Sequence, residues 1–177
     1  MNESSIIILI VGASGVGKDT LIRQFKNKED INVVRRYITR KSNEHENNHF
    51  ITKDNFKKLQ MQSFFISSWF AHDNFYGIPK NSLKAKTNII SVSRSVIKDF
   101  ENKFNNVFTI NITLEKNELK QRLLKRSRES LEQIEKRLKR ADYEVEAKNL
   151  IEFENNESIE VSKSKFYDLI ISISKEV

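Results

Sequence analysis

Six consecutive apolar residues, Ile6-Ile7-Ile8-Leu9-Ile10-Val11, run directly into Gly12-Ala13-Ser14-Gly15-Val16-Gly17-Lys18-Asp19-Thr20. A short unbroken apolar run reads as a strand buried on both faces, and here it hands the chain to a glycine-rich turn and then a helix. Glycines at 12, 15 and 17 allow positive φ and keep Cβ atoms away, so successive backbone N–H groups can converge on an anion. A chain of phosphates is the natural ligand for such a turn. Lys18 follows the last glycine, where a lysine reaches the β- and γ-phosphates. The helix expected from about Asp19 to Lys26 adds its positive N-terminal end.

The spacing G-x-x-x-x-G-K is that of a Walker A loop, which makes Gly12, Ala13, Ser14, Gly15, Val16, Gly17, Lys18, Asp19 and Thr20 the candidate ATP-binding segment. Asp19 stands where Ser or Thr is usual. Two readings stay open: the Asp19 carboxylate ligates Mg²⁺ directly or through water, or it caps the helix and leaves the metal to Thr20. A glycine-rich turn that binds nothing does not account for strand, glycine spacing, lysine and helix occurring in the required order.

At 177 residues the chain suits one domain with a real core. The lack of cysteine removes disulfides, cysteine zinc sites and thiol nucleophiles together, and fits a reducing cytoplasm; three scattered histidines make a poor metal cage. The N-terminal apolar run is too short to span a membrane and has no basic leader, so it reads as a core strand of a soluble protein. A formal charge of +7 suits either nucleic acid or a site holding several phosphates. The basic residues cluster at Arg35, Arg36 and Arg40 and again between Arg122 and Arg140, without interleaved aromatics and glycines, which argues against nucleic acid.

Further along, residues 31–40 read as a short strand ending in a cationic cluster, 41–49 as a surface loop, and 51–62 as a helix with Thr52 as N-cap. Strand-forming runs recur at 63–72, 88–93, 107–112 and 149–153. They alternate with helical stretches near 94–103, 119–148 and 162–174. The segment 73–79 reads as a turn around the single proline, Pro79. Alternating strands and helices predict an α/β fold with a mainly parallel sheet.

Arg36, Thr39 and Arg40 fall at the end of a predicted strand, where open α/β sheets bind ligands, and their guanidiniums and hydroxyl match the needs of a phosphate. A solvated basic strand end is the plainer alternative. Arg122, Arg126 and Arg137 flank a polar break between helical pieces, an arrangement able to close over a triphosphate and neutralise charge as it develops. An exposed charged hairpin is the alternative for that stretch. His72, among Trp69 and Tyr76, reads as a packed, hydrogen-bonded side chain ahead of an acid or base.

Taken together, the loop G-x-S-G-x-G-K-D-T, the stretch Arg35-Arg36-Tyr37-Ile38-Thr39-Arg40, Ser68-Trp69-Phe70-Ala71-His72 followed by Tyr76-Gly77-Ile78-Pro79, and Val92-Ser93-Arg94 resemble the guanylate kinase-like P-loop kinases. Among these the likeness is to the ribose 1,5-bisphosphate phosphokinases. The resemblance implies one P-loop kinase domain over 1–177, a three-layer α/β/α sandwich. Its core would be about 1–118 and 149–177, with a helical lid about 119–148. It implies transfer of the ATP γ-phosphoryl to the anomeric phosphate of ribose 1,5-bisphosphate, giving phosphoribosyl pyrophosphate and ADP with Mg²⁺. Lys18 and the loop amides would hold the donor, and Asp19 or Thr20 the metal. Arg36, Thr39, Arg40 and Tyr76, with Ser93 and Arg94, would hold the acceptor, while Arg122, Arg126 and Arg137 close over the transferring group.

The partners implied are ATP and a phosphorylated sugar, neither nucleic acid nor membrane, with a homodimer left open. Guanylate kinases carry a second arginine, an aromatic and a guanine-reading glutamate. This sequence has Asn43, Asn48 or His49, and Ser67 at those points. Without the glutamate the guanine N1–H and N2–H₂ lose their acceptor, at a cost of roughly 1–3 kcal/mol. Two other readings remain: a nucleoside monophosphate kinase of altered base preference, and a non-catalytic binding module of the same fold.

Overall fold

A computed structural model describes residues 5–41, 48–125, 131–141 and 143–176. Its centre is strand β1, Ile6–Val11, with all six side chains buried. Ile6, Ile8 and Ile10 point into one core, and Ile7, Leu9 and Val11 into another. A strand that must be apolar on both faces sits between two covering layers, which is why the run shows no alternation.

β1 pairs in parallel with β7 (Thr87–Ser91) and with β8 (Val107–Thr113); β2 (Ile31–Val33) and β9 (Leu150–Glu154) extend the sheet in the order β2-β7-β1-β8-β9. On the first face lie α1 (Lys18–Ile22), a 3₁₀ turn Arg23–Phe25, α4 (Lys116–Lys125), α5 (Leu131–Ala141) and α6 (Ile159–Lys175). Ser158 starts α6 by accepting the Val161 N–H at 3.4 Å. Phe166, Ile170 and Ile173 then fall at helical spacing on its buried side. The second face is shared between α3 (Ile97–Glu101) and a smaller sheet, through Ile97, Phe100, Ile66 and Ile78.

That smaller sheet is where the fold departs from the sequence expectation. Residues 31–40 are not one strand: after Val34, whose N–H donates to the Ile89 carbonyl at 2.9 Å, the chain leaves the parallel sheet. Tyr37–Ile38 becomes β3 of a second sheet ordered β4-β3-β6-β5, with β4 at His49–Phe50, β5 at Phe65–Ala71 and β6 at Asn74–Pro79. The β5–β6 turn lies at His72 and Asp73, both at positive φ (49° and 60°), and not at Pro79, which ends β6. Two positive-φ residues give the turn the twist that a two-residue hairpin needs. On one side of this sheet α2 (Lys53–Met61), capped by Thr52, packs Phe56 against Phe65 and Phe75. The other side carries Tyr76 and Trp69 to the site.

Candidate active site

The loop between β1 and α1 has the shape its glycines foretell. Gly12 and Gly17 have φ of 139° and 99°, which only glycine adopts without strain, and a side chain on Gly12 would run into the Ile112 carbonyl of β8. The helix N-cap is Gly17, with no side-chain cap bond, so Asp19 is not the cap. Asp19 lies exposed in the first turn. Lys18 Nζ folds over the loop, donating to the carbonyls of Gly12 at 2.6 Å and Ala13 at 2.7 Å. Its ammonium therefore sits beside the turn where an anion would be gathered.

Across from the loop the smaller sheet supplies a cationic wall. Arg36 Nε donates to Asn48 Oδ1 at 3.3 Å and its NH1 to the Ser91 carbonyl at the end of β7 at 3.2 Å. The guanidinium also lies over the Tyr76 ring, 5.8 Å from the centroid, and Tyr76 is stacked on Trp69 at 5.3 Å and 6°. Tyr76 and Trp69 are cross-strand neighbours, so the sheet register itself builds this column. Asn48, expected near the position of a lost phosphate-binding aromatic, instead orients Arg36. Burial pulls the Arg94 guanidinium below the usual arginine range, while the Glu152 carboxylate acts in the opposite direction.

A cavity of about 660 Å³ joins the two halves. Its walls include Gly12, Ala13, Ser14, Gly15, Gly17, Lys18, Asp19 and Thr20 on one side and Arg36, Arg40, Tyr76, Ser93 and Arg94 on the other. Most of the residues expected at the site are thus brought together. Four cationic side chains, Lys18, Arg36, Arg40 and Arg94, face one carboxylate, Asp19, among the described lining residues.

Several expected members sit elsewhere. Val16 is not a wall: it is buried beneath the loop at 2% exposure. Thr39 does not line the cavity; its Oγ1 accepts the Phe75 N–H at 3.0 Å and ties β3 to the hairpin. Arg122 reaches the loop from α4, close to Gly17, and pairs with Glu118 at 3.0 Å without lining the cavity. Arg126 and Asn43 lie outside the described residues, as does the side chain of Arg137 on α5. His72, expected to be packed, is instead exposed at the hairpin turn on the cavity edge.

Other residues at the site have no role assigned from the sequence. Trp69 lines the cavity beside Tyr76, and Tyr143, Ser91 and Ser95 also contribute. Asn155, just beyond β9, donates to the Val16 carbonyl. The position of Asn155 just past a strand's C-terminal end is a usable signal, since parallel sheets place ligands there.

The family model described as guanylate kinase matches residues 4–171. The chain is 31% identical to the ribose 1,5-bisphosphate phosphokinase of Rhizobium etli, over 99% of this chain and 94% of that protein. It is 32% identical to the protein of the same name from Psychromonas ingrahamii, over 93% and 89%. The guanylate kinase of Prochlorococcus marinus is 29% identical over 96% of this chain and 99% of that one. The crystal structure of guanylate kinase from Anaplasma phagocytophilum shares the fold, with a TM-score of 0.65 at 18% identity, covering 98% of this chain and 87% of that one. Among the described residues no helix is long and apolar enough to cross a membrane. With a glycine-rich loop and a cationic wall facing one cavity, the chain belongs to the guanylate kinase family of phosphotransferases.

Proposed function

We propose that the protein transfers the γ-phosphoryl of ATP to the anomeric phosphate of ribose 1,5-bisphosphate, releasing ADP and phosphoribosyl pyrophosphate. The observation that carries this is the acceptor side of the cavity, which offers cations and hydroxyls and, among the described residues, no carboxylate. Ser67, at the position of the guanine-reading glutamate, is buried at 5% exposure and donates its hydroxyl proton to Asp99 Oδ2 at 2.6 Å. Neither Ser67 nor Asp99 lines the cavity, so a guanine would find no carboxylate on this wall for its N1–H and N2–H₂, whereas a sugar bearing two phosphates is matched by Arg36, Arg40 and Arg94. The names of the relatives from Rhizobium etli and Psychromonas ingrahamii support the same reading.

In this mechanism the anomeric phosphate is already ionised near neutral pH and needs no strong base. One of its oxygens forms the new bond to the γ-phosphorus while the bond to the ADP oxygen breaks. The protein contributes alignment and charge neutralisation. Lys18 and the loop amides hold the donor, Arg36 and Arg40 fix the acceptor phosphate in line, and Arg122 brings a guanidinium from α4 close to Gly17.

Mg²⁺ suits the oxygen donors present, since Asp19 and Thr20 both line the cavity beside Lys18. When bound it would neutralise phosphate charge. Among the described residues no three acidic or histidine side chains gather to hold a metal by themselves, so phosphate oxygens and water would complete its shell. The test is ADP release from ATP, measured by a coupled assay across ribose 1,5-bisphosphate, ribose 5-phosphate, GMP, AMP and CMP. Turnover confined to the bisphosphate is expected; preference for a nucleotide would overturn the reading in favour of a nucleoside monophosphate kinase.

A further inference from the structure

The Asn155 side chain reaches the phosphate-binding loop from 139 residues away, its Nδ2 donating to the Val16 carbonyl at 2.7 Å in a buried bond. Only the amide nitrogen can meet a carbonyl oxygen, so chemistry fixes which way the amide faces. Asn155 is itself firmly held. Its N–H donates to the Thr113 carbonyl at 2.9 Å, extending the β8–β9 ladder by one residue, and the neighbouring Asn156 Oδ1 accepts the Glu115 N–H at 2.8 Å. On the loop side a Cβ at Gly17 would lie 2.6 Å from Asn155 Nδ2, so the contact exists only because residue 17 is glycine.

The consequence lies in the Val16–Gly17 peptide. The described chain has no cis peptide bonds, so the Val16 carbonyl and the Gly17 N–H point in opposite directions. Val16 is buried at 2% exposure and its carbonyl is drawn inward to Asn155, while Gly17 is part of the cavity wall. A bond that holds the carbonyl inward therefore aims the Gly17 N–H toward the cavity. Glycine at positive φ would otherwise let this peptide rotate cheaply.

We propose that Asn155 is a positioning residue for the donor nucleotide, presetting the Gly17 N–H toward the phosphates by clamping the far end of the same peptide. It touches no substrate and acts only through that peptide. The proposal rests on the donor-site reading. Binding of Mg·ADP is measured by calorimetry for the parent chain, Asn155→Ala and the near-isosteric Asn155→Asp, together with KM for ATP and for the acceptor.

The loss of one net hydrogen bond predicts a rise in Kd for ADP of about five- to tenfold in Asn155→Ala. The rise should be larger in Asn155→Asp, whose carboxylate would face the Val16 carbonyl. KM for ATP should rise in parallel while KM for the acceptor stays put. A bond that serves stability alone would lower the melting temperature and leave Kd for ADP within twofold, and that result overturns the proposal. Should the alanine variant fail to fold, Kd for ADP of the aspartate variant decides the same question. A parent chain that binds no ADP would overturn the donor-site reading as well. A parent that binds, with variants that bind equally, overturns this inference alone.

Discussion

The Arg36 guanidinium lies over the ring of Tyr76, 5.8 Å from its centroid, and the same ring is stacked on Trp69. A long flexible cation is thereby fixed before any substrate arrives, by a ring face, by Asn48 Oδ1 and by the Ser91 carbonyl. Such pre-ordering spares the binding step the cost of immobilising the side chain. In the proposed reaction this is what would let the smaller sheet hold a phosphate.

Tyr76→Leu removes both the stacking on Trp69 and the surface under Arg36. The acceptor KM should rise about five- to thirtyfold, the equivalent of roughly 1–2 kcal/mol, with KM for ATP unchanged. Tyr76→Phe keeps the ring. Initial rates with both substrates varied separate the cases: a phenylalanine variant as impaired as the leucine one would mean that the hydroxyl, and not the ring, holds the acceptor.

Arg40→Ala takes one of the two cations that flank β3 from the proposed acceptor side. We expect a higher acceptor KM together with a lower kcat, because a misplaced phosphate loses alignment as well as binding. If steady-state kinetics show only KM for ATP changing, Arg40 belongs to the donor side instead.

Lys18→Ala should cut kcat by at least about a hundredfold, since the ammonium neutralises charge that develops on the transferring group. Stability should fall by only about 1 kcal/mol, because the two loop carbonyls it holds can turn to water. Unchanged turnover with a normal circular dichroism spectrum would remove the loop lysine from the mechanism.

Asp19 is exposed in the first helical turn and does not cap it, so its charge can be tested without breaking a cap. Asp19→Asn should move the Mg²⁺ activation curve to higher concentration if the carboxylate meets the metal shell, and Thr20→Val should do so if the hydroxyl does. Titrating rate against Mg²⁺ at saturating ATP decides between them. A curve for Asp19→Asn that overlaps the parent's assigns the role to Thr20.

Much of the fold and site is legible in the chain. The apolar run 6–11 and the glycine spacing dictate a doubly buried strand and a tight glycine turn because both features are local, as is the cap at Thr52. The smaller sheet is not legible, since β3 and β4 have two residues each, too short to show a period. Its hairpin also turns on His72 and Asp73 at positive φ without a glycine. Thr39 reads as a phosphate ligand in the sequence because nothing nearby shows that its side chain lies outside the cavity, bridging to the Phe75 N–H. Asn155 shows in the sequence only as a residue just past a predicted strand; its bond to Val16, at the other end of the chain, does not show.

Whether the acceptor is the anomeric phosphate of a sugar bisphosphate is decided by phosphorus NMR of the protein mixed with ATP, Mg²⁺ and ribose 1,5-bisphosphate. The proposed transfer predicts loss of the ATP γ-resonance and of the anomeric monophosphate signal, with growth of ADP and of a coupled diphosphate pair attached to the sugar. ATP and ribose 1,5-bisphosphate spectra that stay unchanged, while GMP in a parallel sample is converted to GDP, would contradict it.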